Sequence, residues 1–185
     1  MEEKLEQQAS DLIKIVCFGP ESTGKTTLAR ALAAHFNTRW VPEYMRSYFE
    51  EKWQGKPGVS VPEDILPIAE GQMHLENKIA QQANQFLFCD TDLLQIKVYS
   101  EIYFNGYCPA LVAQKAIENQ YHHYFLMAID IPWEEDNLRD KPQEREMLFA
   151  RFESELKQFQ KPYTVLQGNY DQRVQKALEI IEKLK

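Results

Sequence analysis

A chain of 185 residues, 44% hydrophobic and 26% charged, has the makings of one globular domain, long enough for a full core and short for two. A net charge of −7 argues against a surface for duplex nucleic acid, because affinity for a phosphate backbone comes from clustered Lys and Arg. A local basic cleft for a small polyanion such as ATP is untouched by that argument. Cys17, Cys89 and Cys108 are widely spaced and form no C-x-x-C pair, a pattern that suits reduced thiols. No apolar run approaches the ~18 residues of a membrane span, and Met1-Glu2-Glu3-Lys4 lacks an apolar signal core. The expectation is a cytoplasmic protein with neither membrane nor nucleic acid as partner, and of open oligomeric state.

Residues 1–10 are polar and read as a frayed or helical lead-in. Ile13 to Phe18 is a short β-rich apolar run ending at Gly19, the mark of a buried strand. From Lys25 to Phe36, Leu28, Ala31, Leu32 and Phe36 recur at helical spacing. Arg39-Trp40-Val41 is a second short strand closed by Pro42, and Glu43 to Trp53 a helix broken by Gln54-Gly55-Lys56-Pro57-Gly58. Pro62 to Asn84 is a long polar helix that Pro67 and Gly71 are expected to kink or divide. Phe86 to Cys89 is a third strand, ending in Asp90-Thr91-Asp92. Helices follow over Leu93–Phe104 and Leu111–Asn119, then a fourth strand over Tyr124–Ile129. A charged stretch from Asp130 to Glu146 leads into a helix to about Gln160, a fifth strand over Tyr163–Leu166 and a closing helix over Gln172–Leu184. Strands alternating with helices predict a three-layer α/β domain around a mostly parallel five-stranded sheet, with ligands at the carboxyl ends of the strands. The whole chain, residues 1–185, reads as one domain.

The strongest chemical signal is Gly19-Pro20-Glu21-Ser22-Thr23-Gly24-Lys25-Thr26, a full G-x-x-x-x-G-K-[ST] P-loop between a strand and a helix. Its glycines let backbone N–H groups turn inward around phosphate oxygens, and the helix N-terminus adds positive potential. Lys25 is expected to reach the β- and γ-phosphates and the Thr26 hydroxyl to ligate Mg²⁺. Gly19, Glu21, Ser22, Thr23, Gly24, Lys25, Thr26 and Thr27 form the expected ATP site. Asp90 ends a strand where a second Mg²⁺-organising carboxylate belongs; capping the next helix is the alternative, and for Asp92 capping is as good a reading as substrate contact. Glu43 follows the second strand and suits a proton acceptor or a partner for sugar hydroxyls, with Arg46 on the same helical face for anionic charge. A surface Glu–Arg pair is equally consistent with that spacing. Asp136-Asn137-Leu138-Arg139-Asp140-Lys141, with Arg145 beyond, has the composition of a lid whose arginines close on the transferring phosphate; a solvated charged face has the same look. His122 and His123 lack metal-ligand spacing. Trp40, Trp53 and Trp133 suit wall or core packing better than stacking on a base.

With these pieces in place the chain resembles, from about Ile13 to Leu184, the kinase domain of NadR-type nicotinamide riboside kinases. These are P-loop nucleoside and nucleotide kinases of the AAA-like ATP-binding group. The resemblance rests on Gly-x-Glu-Ser-x-Gly-Lys, on His35-Phe36-Asn37-Thr38 and on Glu43-Tyr44-x-Arg46. Ile68-Ala69-x-Gly71-Gln72, Asp90-Thr91-Asp92 and Trp133-x-x-Asp136-Asn137-Leu138-Arg139 carry it further. Pro20, where members often have a small residue, and Thr26 in place of Ser depart from the pattern. The resemblance implies a sheet of the adenylate- or thymidylate-kinase type with the P-loop strand central. It implies phosphoryl transfer from ATP with Mg²⁺ to the 5′-hydroxyl of nicotinamide riboside, in NAD biosynthesis. Lys25, Glu43, Asp90, Arg139 and Arg145 are then the expected catalytic set, Glu43, Tyr44, Arg46 and Asp92 the acceptor contacts, and Thr26 and Asp90 the metal ligands. Some members carry an adenylyltransferase domain and a DNA-binding segment before the kinase, and neither activity is expected here. The other readings are a kinase for a different vitamin-like alcohol or nucleoside, and an ATPase switch acting through a protein partner.

Overall fold

The computed structural model describes residues 2–56, 58–133 and 142–185. Most of the expected lid, including Arg139, lies outside the described residues. Five strands form one sheet in the order β2-β3-β1-β4-β5. They are β1 (Ile13–Phe18), β2 (Arg39–Val41), β3 (Phe86–Asp90), β4 (His123–Met127) and β5 (Tyr163–Leu166). Every pairing is parallel, and the P-loop strand β1 lies between β3 and β4. Seven α-helices are described: α1 (Lys25–His35), α2 (Tyr44–Trp53), α3 (Ile65–Ala80), α4 (Leu93–Tyr103), α5 (Ala110–Glu118), α6 (Arg145–Gln158) and α7 (Tyr170–Ile181).

Period-two alternation within the strands divides the core. Val16 and Phe18 of β1, with Leu87, Cys89, Tyr124 and Leu126, face a cluster completed by α3, α4, α5 and α6. Ile15 and Cys17, with Phe86, Phe88, Phe125, Met127 and Leu166, face α1 and α7. A parallel sheet buried on both faces explains why its strands read as continuous apolar runs. On the first face a buried polar knot secures α3 to the sheet. Glu76, fully buried, accepts from Lys14 Nζ at 3.0 Å and from Tyr121 Oη at 2.7 Å, so its charge is compensated.

One local expectation is corrected. The segment after Pro62 is not divided at Pro67 or Gly71: a 3-10 turn over Pro62–Asp64 runs into one helix, α3. Pro67 falls in the first turn of α3, where its missing N–H has no carbonyl to serve. Of the two readings of the lead-in, frayed or helical, the structure has the helical one, and it is anchored. Glu2–Leu5 is a 3-10 turn, Leu5 is fully buried, and Gln7 Nε2 donates to Glu76 at 2.9 Å.

Candidate active site

All five strands point their carboxyl ends to one edge of the sheet, and the P-loop leaves β1 there. Gly19 has φ +125°, and a Cβ on it would come within 3.3 Å of the Met127 carbonyl oxygen; the turn needs both the conformation and the closeness that glycine allows. Thr23 Oγ1 donates to the Pro20 carbonyl at 2.8 Å and closes the loop on itself. Gly24, at φ +84°, stands at the N-cap of α1 without a side-chain cap. The first-turn amides of α1 are therefore available to an anion.

Lys25 is buried and donates to the carbonyls of Gly19 at 3.0 Å and Pro20 at 2.7 Å. Burial lowers its pKa, opposed by the charges of Glu43, Asp90 and Glu21. Its ammonium rests on weak backbone partners amid surrounding carboxylates, so a phosphate is a better partner than those it has. Asp90 closes β3 beside it and accepts from the Thr26 hydroxyl. Burial and then the charge of Glu43 push the Asp90 carboxyl up to about 6, against the pull of Lys25 and of the Thr26 bond. Glu43 precedes α2, and Arg46 Nε donates to its Oε2 at 3.0 Å, so the spacing-based pair exists and lies at the cleft.

These groups border one cavity of 560 Å³. At one end stand Glu21, Ser22, Thr23, Gly24, Lys25, Thr26 and Thr27 of the P-loop, with Glu43, Arg46 and Asp90 beside them. The rest of the lining is largely apolar and aromatic, with Phe49, Trp53, Ile65, Ile68, Tyr99 and Phe104. Trp53 stacks on Phe49 with ring centroids 4.3 Å apart and an interplanar angle of 12°, which makes a flat wall. Arg145, the first residue of α6, reaches the P-loop from the side, donating to the carbonyls of Ile131 at 2.9 Å and Ser22 at 3.2 Å.

Two expected acceptor contacts lie elsewhere. Asp92 is buried behind the cavity wall, where Oδ1 caps α4 by accepting from Gln95 N at 3.0 Å and Oδ2 accepts from Tyr124 Oη at 2.7 Å. Capping explains it. Tyr44 lies over Gly71 of α3, so close that a Cβ at Gly71 would be 2.0 Å from its ring, and its amide donates to Gln72 Oε1 at 2.8 Å. Its task is joining α2 to α3.

Sequence reasoning missed three contributors. Gln95 is 1% exposed, borders the cavity and accepts from the amide of Gly19 at 3.1 Å; one polar residue inside Leu93-Leu94-Gln95-Ile96 was the available signal. Tyr99 stands one turn further along α4 at the same cavity. Arg173 of α7, also buried, braces the P-loop by donating to the carbonyls of Thr23 at 2.6 Å, Gly168 at 2.9 Å and Ala128 at 3.0 Å. It also pairs with Asp130. A lone Arg in a helical run carries no sign of such duty.

No group of three or more His, Cys, Asp or Glu residues able to hold a metal is found among the described residues. The Thr26 hydroxyl and Asp90 carboxylate still suit Mg²⁺, which takes one or two protein oxygens and completes its shell with water and phosphate.

This architecture has known counterparts. Among solved structures, NadR protein in complex with NR superposes with a TM-score of 0.74 at 23% identity, over 94% of this chain and 52% of that one. Thymidylate kinase from Ehrlichia chaffeensis superposes with a TM-score of 0.67 at 13% identity, over 94% of this chain and 100% of that one. At such identities the likeness is one of fold, the P-loop kinase fold. In sequence, the chain is similar to the trifunctional NAD biosynthesis/regulator protein NadR of Escherichia coli (strain K12), 26% identical over 176 residues. That match takes in 92% of this chain and 42% of the relative, so the chain spans about two fifths of the protein it matches. A P-loop at the centre of a parallel sheet, its lysine and threonine facing a carboxylate at the next strand's end, agrees with the AAA domain family model that matches residues 14–173, and the chain belongs to that family.

Proposed function

We propose that this chain is an ATP- and Mg²⁺-dependent kinase that phosphorylates the 5′-hydroxyl of nicotinamide riboside. The observation that carries the reading is the single cavity joining the P-loop to a flat aromatic wall, with Glu43 and Asp90 at the junction. An ATPase switch has no use for the second half of that cavity. The aromatic faces and surrounding carboxylates suit a flat cationic ring such as that of a nicotinamide riboside, and the similarity to NadR points to the same acceptor.

Lys25 and the α1 amides bind the β- and γ-phosphates and stabilise charge on the transferring group. Thr26 and Asp90 are the residues that would hold Mg²⁺, which when bound neutralises charge on the β- and γ-phosphate oxygens. The Thr26 hydroxyl already engages Asp90, which leaves Glu43, oriented by Arg46, to take the acceptor's proton. The 5′-oxygen forms the new P–O bond as the bond from the γ-phosphorus to the bridging oxygen breaks. The hydroxyl proton passes to Glu43, and ADP leaves. Arg145, within reach of the P-loop, adds positive charge at that flank. The kinase unit takes up residues 1–185, and its acidic surface and unpaired thiols fit a cytoplasmic setting without nucleic acid as partner.

The test is phosphate transfer from Mg·ATP to a panel of ribosides and vitamin-like alcohols. Nicotinamide mononucleotide is the expected product. Transfer to another acceptor but not to nicotinamide riboside replaces the substrate and keeps the kinase. Slow ATP hydrolysis with no phosphorylated small molecule overturns the kinase.

A further inference from the structure

Two buried polar atoms without a hydrogen-bond partner belong to one wall of the molecule: Thr91 Oγ1 and Gln95 Nε2. Both residues border the cavity in front of the P-loop. Glu155, by contrast, is met within the protein by Lys97 at 2.8 Å and Arg151 at 2.6 Å. Unpaired buried polar atoms are uncommon, and where they border a cavity their partner is whatever enters it, water or a ligand.

Gln95 is the more constrained of the two. Its Oε1 accepts from the Gly19 N–H, a bond its Nε2 end is unable to make, because an amide nitrogen only donates. The P-loop thereby fixes which way round the amide lies and leaves Nε2 as a donor with no protein acceptor. Thr91, which turns β3 into α4 beside it, is a β-branched residue held at φ +89°, a strained conformation of the kind that persists at functional sites. Thr91 at the end of β3 and Gln95 in the first turn of α4 share the cavity lining with Lys25, where a sugar whose hydroxyl faces a γ-phosphate on Lys25 would lie.

We propose that Gln95 is a specificity-determining residue, its amide donating to a secondary hydroxyl oxygen of the acceptor's ribose. The inference rests on the kinase reading above and adds the substrate class: ribosides in preference to the matching deoxyribosides. A site built around a fixed donor rejects an analogue lacking the oxygen, because the donor is then left unpaired.

The experiment measures kcat and KM for ATP, nicotinamide riboside and its 2′-deoxy and 3′-deoxy analogues, and for other ribosides with their deoxy forms. The proteins are wild type, Gln95→Met and Gln95→Glu; the last retains an acceptor for the Gly19 amide. In wild type one deoxy analogue is expected to lose about 100-fold in kcat/KM. Both variants are expected to lose a similar factor on the riboside and to handle that analogue no worse than wild type does; Gln95→Glu keeps the ATP KM within about twofold of wild type, whereas Gln95→Met, which also loses the acceptor for the Gly19 amide, raises it. Wild-type indifference to both deoxy analogues overturns the inference. So do equal losses on every acceptor, or, in Gln95→Glu, which keeps the Gly19 contact, a loss lodged in the ATP KM alone, which would leave Gln95 only its support of the P-loop. If wild type phosphorylates another riboside and not nicotinamide riboside, the acceptor assignment fails and Gln95 is judged on that riboside. Transfer to non-ribose alcohols alone overturns both.

Discussion

In the proposed mechanism Lys25 and Glu43 divide the work at the cleft. Lys25 is held by two carbonyls of its own loop, so removing its side chain leaves the fold and deletes the charge that meets the phosphates. Lys25→Ala is expected to lower kcat by about 10³-fold, read from phosphate transfer at saturating acceptor. Glu43→Gln keeps the shape and the contact with Arg46 but removes the proton acceptor. It is expected to lower kcat by about 10²-fold or more with the ATP KM unchanged, and unaltered turnover would remove Glu43 from the mechanism. Both residues were legible because strand ends in a parallel sheet face one edge. Asp92 was not, since its place after β3 is also that of the N-cap of α4, and its carboxylate is taken up by the Gln95 amide and Tyr124 Oη in the core.

In the same proposal the helices beyond β2 carry the acceptor side, and small contacts set their spacing. Gly71 of α3 lies against the Tyr44 ring of α2, so Gly71→Ala forces the helices apart. A cost of about 1–3 kcal/mol is expected in denaturant unfolding, together with a raised acceptor KM, because α2 also carries Arg46 and Phe49. A second tie is Asp64, just before α3. It accepts from Lys52 Nζ at 2.5 Å, Tyr48 Oη at 2.8 Å and the Val61 amide at 3.0 Å. Burial raises its pKa, but the bonds from Lys52, Val61 and Tyr48 outweigh that and hold it below the usual carboxylate range. The stabilisation is therefore present above the unfolded pKa of about 4 and lost as pH falls through the lower folded value. Asp64→Asn is expected to cost about 2 kcal/mol at pH 7, with the gap from wild type narrowing below pH 4. A gap independent of pH would assign the effect to packing alone. The resemblance quoted Gly71-Gln72 without showing what it does; its reason is contact between helices, which no single run of sequence displays.

For the whole molecule, ligand binding at the sheet edge is linked to stability, since the P-loop is braced from α4 by Gln95 and from α7 by Arg173. Mg·ATP at a hundred times its Kd is expected to stabilise by about 2.7 kcal/mol, a rise in Tm of roughly 5 to 10 °C. An unmoved melting curve at saturating Mg·ATP would argue against nucleotide binding. Sequence by itself determined the order of strands and helices, the P-loop and the carboxylates at the strand ends. Those depend on periodicity and on residues adjacent in the chain. Tertiary structure alone decided that α2, α3 and α4 close an aromatic wall opposite the P-loop, that Asp92 and Tyr44 belong to the scaffold, and that Gln95 and Arg173 hold the loop. Each of these depends on which distant segments meet across the sheet, Thr23 with Arg173 or Gly19 with Gln95, and local patterns carry no record of such meetings.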